Sequence, residues 1–523
     1  MRHGTSFGMA IAVIASFMAT SAGFVQAAIN PSQVLVVYNS QAPDGQTILN
    51  AYLAVHPDIP AGTNQNVFDL NDASLVGVAD ITYADFVSKI RDPIRAYLDS
   101  VGPTATSIIS IVLIRGIPHR IEDTDRANVG DVPSWYVNYQ DAIPPEFTNG
   151  DVTCASVDAE LVLLWQDLDD GEAGGTMDSH ADNLIDNPYH QSSTNIQSFT
   201  RANIKVQKTL SDIGNAHYAW GIAGTNTRRL TSGDIYLVCR IDGTTAADAL
   251  AIIARAQDLA VNRRYARLIL DEDDRADGLD DDAIFTPPVF GAGADYEETR
   301  DLMQANGWNV LYDATDHFIE GGEIPRPVIA YSSYGTNHDP KPPSLDAYID
   351  SFVFARGAIF NTFESYNGRA FNGLGTLFGQ EQIADFISAG GTFGIGCVWE
   401  PLSVFLADDE FLWPNFLVNG LTWAEAAYSS IPALSWMHIV IGDPLAHVVT
   451  VNQRLADLDA DNDVDQDDLA LFEGCTTGPS AVSMNPDCAD TDFDLDDDID
   501  MSDFATLQLC LSSADIPPAP ACN

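Results

Sequence analysis

The C-terminal part of the chain carries aspartates at a spacing that suits a metal ion. Asp457, Asp459, Asp461 and Asp463 alternate along the chain, and Asp468 follows five residues later. Thirty-five residues further on, Asp492, Asp494, Asp496, Asp498 and Asp503 repeat the pattern. In a twelve-residue cation loop, positions 1, 3 and 5 give carboxylate oxygens, position 7 a backbone carbonyl, and position 12 a closing carboxylate. An all-oxygen set selects a hard cation, so the spacing predicts two Ca²⁺ sites. Position 8 is apolar in both copies (Val464, Ile499), as a buried anchor would be. Position 6 holds Asn462 and Asp497 instead of glycine, residues that tolerate left-handed backbone better than most.

A second set of reactive residue types follows apolar runs upstream. Arg115–Arg120, Arg240–Asp242, Ser332–Asn337, Glu364–Arg369, Glu400-Pro401 and Gly442–Pro444 each close such a run, with Val157–Glu160 between the first two. In open α/β sheets, chemistry gathers at the carboxyl ends of strands, so together these clusters predict a polar cleft on one edge. Ser365 would need an adjacent base to act as a nucleophile, and His338 is the candidate. Glu160 and Glu364, with Asp158 and Glu400, could supply paired carboxylates for acid–base work on a glycan. Arg369, Tyr334 and Asn337 complete this hydrolase reading. Cys154, Cys239 and Cys397 read as structural thiols, Cys397 because it lies inside the apolar run TFGIGCVW. No His/Cys group has zinc spacing and no glycine-rich phosphate loop follows a strand.

These residues must be positioned by regular elements. Apolar, β-branched runs predict strands at Val34–Tyr38, Ile108–Ile114, Ile235–Ile241, Ala266–Leu270, Val328–Ser332, Ala358–Thr362 and Thr392–Val398. Helical spacing marks Tyr83–Leu98, Ala246–Val261 and Glu297–Asn306 between them. The alternation predicts an α/β fold, a mostly parallel sheet with helices on both faces. Asp167–Pro188 and Asp271–Pro288 read as Gly/Asp-rich loops, the second as a solvated acidic run. In the tail, LALFEGC and FATLQLC predict one short helix after each cation loop, with none before it.

Charge and the chain's front end limit the function classes. The 523 residues include 75 acidic and 24 basic ones, a formal charge of −51, which argues against nucleic acid or an anionic membrane as partner. Eighteen of the acidic residues and none of the basic ones lie in Leu455–Asn523. Arg2 and His3 precede the apolar run Gly8–Thr20, and Val25-Gln26-Ala27 suits signal cleavage. The organisation expected is therefore a signal peptide at 1–27, an α/β domain at 28–450 and a metal-binding module at 451–523. No later run is long enough to span a membrane, so the mature chain should be secreted or periplasmic. Export permits disulfides.

The tail resembles a type I dockerin, a duplicated loop–helix Ca²⁺ module that docks onto cohesin domains. Aspartate at position 12 and the missing entering helix are features of that family. The resemblance implies a cohesin-like partner, although positions 10 and 11 (Gln466/Asp467 and Met501/Ser502) depart from the common Ser-Thr pair. Cys475, Cys488, Cys510 and Cys522 all lie here. Two local disulfides, Cys475–Cys488 and Cys510–Cys522, would staple a module with little core; pairing between the copies is the alternative.

The larger region, through VLVVYNS, IRGIPHRI, SVDAEL, RIDG, RGAIFNTFESYNGR, GCVWEPL, LTWAEAAY and IGDPLAHV, resembles an uncharacterised family of exported bacterial proteins. That family is distantly similar to the caspase/gingipain-type fold of cysteine peptidases. There, one strand ends in a turn supplying a histidine base and the next ends in the nucleophilic cysteine. In this chain Tyr334 stands at the base position and Ser365 at the nucleophile position. Two readings follow. One is a non-catalytic or binding domain displayed through the tail. The other is an exported hydrolase, peptidase-like or acting on extracellular glycan or peptide.

Overall fold

The computed structural model describes residues 29–62, 65–101, 107–122, 155–165, 185–200, 231–263, 266–272, 296–324, 327–335, 338, 352–370, 382–399, 401, 406–451, 456–458, 463–483, 485–494, 496, 498–513, 516, 518 and 522. The expected signal peptide, Cys154, Glu400, Asn337 and most of the two Gly/Asp-rich segments lie outside that set. Among the described residues, no helix is long and apolar enough to cross a membrane.

The strands in chain order are β1 (Val34–Tyr38), β2 (Val67–Asp69), β3 (Asp80–Thr82), β4 (Ser110–Ile114), β5 (Arg120–Glu122), β6 (Ala155–Ser156), β7 (Ile185–Asp186) and β8 (Leu237–Ile241). Then come β9 (Leu259–Asn262), β10 (Arg267–Glu272), β11 (Asn309–Ala314), β12 (Val328–Ser333) and β13 (Phe354–Thr362). The last four are β14 (Phe393–Cys397), β15 (Ala433–Leu434), β16 (His438–Ile441) and β17 (Val448–Val451). Ten of them form one sheet in the order β11-β10-β12-β13-β14-β16-β8-β4-β1-β2. All seven strands read from the sequence are in it.

The architecture is α/β and mostly parallel, as the alternation of elements implied. Every residue of β4, β8, β12 and β14 is buried, so both faces of the sheet are covered and the runs need no polar alternation. One junction breaks the parallel order. β14 and β16 are antiparallel, with Cys397 opposite His438, whereas β16 runs parallel to β8. The sheet is thus two parallel halves set against each other. The carboxyl ends of β4, β8 and β16 point one way, and those of β10, β12, β13 and β14 the other. This corrects the single polar edge expected above: of the six strands that the clusters follow, β4, β8 and β16 end at one edge of the sheet and β12, β13 and β14 at the other.

Local chemistry explains where elements depart from the sequence reading. The helix expected over Tyr83–Leu98 is present but opens into a wide π turn at Val87–Arg91 between α segments Tyr83–Phe86 and Asp92–Ser100. Pro93 supplies no N–H to the preceding turn, and the wider turn accommodates it. The helix expected to reach Val261 stops at Arg255. Asp258 then takes a left-handed conformation (φ 47°), and β9 pairs with β17. Leu259 and Val261 alternate as a strand instead of continuing the helical stripe. The acidic run read as starting a loop at Asp271 begins inside the sheet, since Asp271 and Glu272 are the buried last residues of β10.

Beneath β8, a buried ion pair joins three separated motifs. Arg240 grips Asp158 through Nη2–Oδ2 (2.6 Å) and Nε–Oδ1 (3.1 Å), and both side chains are wholly buried. Its guanidinium also donates to the carbonyls of Ile117 and Pro118 and to Asp242. Burial raises the Asp242 pKa, and Arg240 opposes the rise. Arg240→Met would leave the buried Asp158 uncompensated and Asp242 facing only Arg115 at 3.7 Å. A loss of about 3–5 kcal/mol is expected in urea unfolding of the α/β domain. A loss below about 1 kcal/mol would show that the pair does not hold the three segments together.

Candidate functional site

Two regions collect the residues singled out in the sequence. In the C-terminal module, helices Gln466–Cys475 and Met501–Cys510 follow the two loops with the same 35-residue offset as the aspartates. A 3₁₀ helix, Pro486–Thr491, leads into the second loop, a turn the sequence reading did not include. Position 12 closes both loops alike. Asp468 accepts from the N–H of Leu458 (2.5 Å) and Asp465 (2.7 Å), and Asp503 from Phe493 (2.6 Å) and Asp500 (2.9 Å). Asp465 and Asp500 are at the same time the N-caps of the two helices.

The two units also hold each other. The N–H of Val464 donates to Ser512 Oγ (3.0 Å), and that of Ile499 to Thr477 Oγ1 (2.9 Å). Ser512 and Thr477 return the bond through their own N–H groups to the carbonyls of Val464 and Ile499. Val464 and Ile499 are fully buried with Phe472, Phe493 and Leu507 in a core separate from that of the α/β domain. The local disulfides expected are formed, Cys475–Cys488 and Cys510–Cys522.

The carboxylates of this module fit a cation. Asp463, Asp465 and Asp468 each bring an oxygen within 4.8 Å of the others, as do Asp492, Asp494 and Asp496, and again Asp498, Asp500 and Asp503. Asp457, Asp463, Asp468, Asp492, Asp498 and Asp503 are buried, and Leu455–Asn523 contains no lysine or arginine to neutralise them. Two like charges 5 Å apart repel by roughly 3 kcal/mol at an effective dielectric of 20, so such a cluster calls for a positive ion. Asp459, Asp461, Asn462 and Asp497 lie outside the described residues.

At the other region, the strand ends of β12, β13 and β14, the structure brings together most of the upstream candidates. Gly335 sits at φ 53°, and a Cβ there would lie 2.3 Å from the Glu364 carboxylate. The Gly335 carbonyl accepts from the N–H of His338 (3.2 Å). His338 is fully buried, its ring edge-on to Phe318 at 5.2 Å, while Ser365 is half-buried. Tyr334, at the expected base position, is packed against Tyr296 and Phe363. The Arg369 guanidinium lies over Trp399 at 4.1 Å. Glu160 accepts from Ser435 Oγ (2.5 Å), just before β16. Cys239 and Cys397 are buried and outside any disulfide, as read.

His119 and Arg120, the last residues of the Arg115–Arg120 cluster read after β4, reach this end of the molecule. Both bind the Arg369 carbonyl, His119 through Nε2 (2.8 Å) and Arg120 through Nη1 (2.9 Å). Burial, then Arg240 and Arg120, hold His119 well below the usual imidazole range, so it is neutral and Nε2 donates. Its place inside IRGIPHRI was the available signal. Comparison with family models, curated proteins and solved structures finds no match to this chain.

Two outcomes are expected. Gly335→Ala should cost about 1–3 kcal/mol in thermal or urea unfolding, through the strained φ and the clash with Glu364; an unchanged midpoint would show that the turn yields freely. In the module, burial lifts Asp490 to about 6, and burial with its neighbours Asp503, Asp496 and Asp492 raises Asp494. Raised folded pKa values mean the folded module binds more protons than the unfolded one. Without cation, stability is therefore fully present below about pH 4 and is lost as pH rises through about 6. Calorimetry in EDTA should show the module melting higher at pH 4.5 than at pH 7, and the order should reverse in excess Ca²⁺.

Proposed function

We propose that this is an exported protein whose C-terminal module binds two Ca²⁺ ions and docks onto a cohesin-like partner. The observation that carries this reading is the duplicated unit, loop, closing aspartate and helix, repeated at one offset with reciprocal bonds between copies. Asp457, Asp459, Asp461, the carbonyl of Asp463, and Asp468 would hold one ion. Asp492, Asp494, Asp496, the carbonyl of Asp498, and Asp503 would hold the other. The bound ion supplies charge neutralisation and loop order, replacing core that so small a module lacks. The two disulfides agree with an oxidising, extracellular setting.

The α/β domain reads as a binding or display domain, a caspase/gingipain-like fold without its dyad. Tyr334 directly follows β12 and Ser365 lies three residues past its parallel neighbour β13, near the positions where that fold carries base and nucleophile. A packed aromatic ring at the first supports the non-catalytic reading. The hydrolase alternative rests on Ser365, half-buried and following the buried Glu364, at the strand ends that also gather Arg369 and Glu160.

Calcium titration of the full-length chain by calorimetry should give two sites with dissociation constants of about 1 mM or tighter. Asp468→Ala and Asp503→Ala should each remove one. Immobilised type I cohesin domains should then retain the chain in Ca²⁺ and release it in EDTA. Absence of any calcium heat would sink the whole reading; calcium binding without cohesin retention would sink only the docking partner.

A further inference from the structure

A cavity of about 590 Å³ lies apart from both regions described above. It forms where the end of β16, the end of helix Gly45–Val55, the 256–260 segment and the Ile29–Pro31 start of the domain meet. Its polar wall is built around Asp443, which is fully buried. That carboxylate accepts four hydrogen bonds. Tyr52 Oη (3.0 Å) and the Leu445 N–H (3.1 Å) bind Oδ1, while His56 Nε2 (2.6 Å) and Gln257 Nε2 (3.2 Å) bind Oδ2.

The bonding fixes the imidazole. The Asp443 carboxylate accepts from Nε2–H of His56, so a lone pair on this ring can stand only on Nδ1. Tyr52 stands edge-on to that ring at 4.7 Å. Asp258, held in its left-handed turn, adds a second, exposed carboxylate to the lining. No lysine or arginine lines the cavity, and the remaining surface is largely aliphatic, including Leu259, Leu445 and Val449. An acceptor nitrogen, two carboxylates and aliphatic walls select a ligand that donates protons, carries positive charge and has an apolar body. An anion would meet the carboxylates of Asp443 and Asp258, with only His56 and the exposed His447 in the lining to oppose them. The chain's formal charge of −51 concentrates cations near its surface in the same sense.

We propose that this cavity binds a small organic amine. The ammonium group donates to His56 Nδ1 and pairs with Asp258, and the apolar body lies against Leu445 and Val449. Asp443 is a positioning residue: it acts through His56 and does not touch the ligand.

The test is fluorine NMR binding to the full-length chain in saturating Ca²⁺ and physiological salt. The three probes are 4-fluorobenzylamine, 4-fluorobenzyl alcohol and 4-fluorobenzoate. The amine should bind, the alcohol at least fivefold more weakly, and the benzoate not at all. Leu445→Trp fills the cavity without changing any charge, so it separates this site from loose attraction to the acidic tail. Amine binding should fall at least tenfold in Leu445→Trp and about fivefold in Asp258→Asn. Val449→Trp, at an exposed position of the lining, gives the same reading should Leu445→Trp fail to fold. Amine affinity unchanged by the filling variants, or benzoate bound as tightly as amine, would overturn the proposal.

Discussion

The large domain depends on one buried charge being answered. Arg240 projects from the middle of the sheet into a region without water, where an uncompensated guanidinium could not persist. Its partners come from far along the chain: Asp158 on a short helix, and the carbonyls of Ile117 and Pro118 on the segment leaving β4. Each answers a separate donor of the planar fork, so the arginine sets their mutual geometry. That anchored segment then delivers His119 and Arg120 to the Arg369 carbonyl at the opposite end of the sheet. A structural node thereby orders a region that carries reactive side chains.

The C-terminal module solves the opposite problem. It has few apolar residues and an excess of one charge, so its aspartates must do structural duty. Asp465, Asp468, Asp500 and Asp503 cap helices and close loops through backbone N–H groups, which uses part of their negative charge internally. The remaining carboxylate oxygens face one another. Covalent staples tie each helix end to the segment following it, whereas the two copies are joined by hydrogen bonds of Thr477, Gly478, Ser480 and Ser512 and by the stacking of Phe472 on Phe493.

Much of this was legible in the sequence, for identifiable reasons. Fully buried parallel strands are continuous apolar runs, and β1, β4, β8, β12, β13 and β14 were readable as such. The repeat in the tail was visible because ligand spacing, apolar position 8 and cysteine recur together. Three features were not legible. The strand β16 is four residues long, and its His438 hides the pattern. Leu259 and Val261 fit a helical stripe and a strand equally well, and only Asp258's conformation decides between them. The reversal at β14/β16 is a tertiary choice with no local signature, which is why the strand-end clusters were assigned to one edge. The cavity around Asp443 is a further tertiary case: its residues come from four segments, and nothing local ties Gly442–Pro444 to His56, Asp258 or Ile29.

The reversal at β14 and β16 has a consequence for how the chain folds. The first half of the sheet, apart from β16, is contiguous in sequence from β1 to β8, and the second from β10 to β14. Each can therefore nucleate on its own comparatively local contacts. β16 returns to β14 after an excursion through helices Asp409–Leu417 and Trp423–Ser430, and meets β8 at Arg240, some two hundred residues earlier. The entropy of closing so large a loop is offset only once both halves exist to receive the strand. A four-residue strand thus carries the whole backbone connection between the two parallel halves and makes them one sheet.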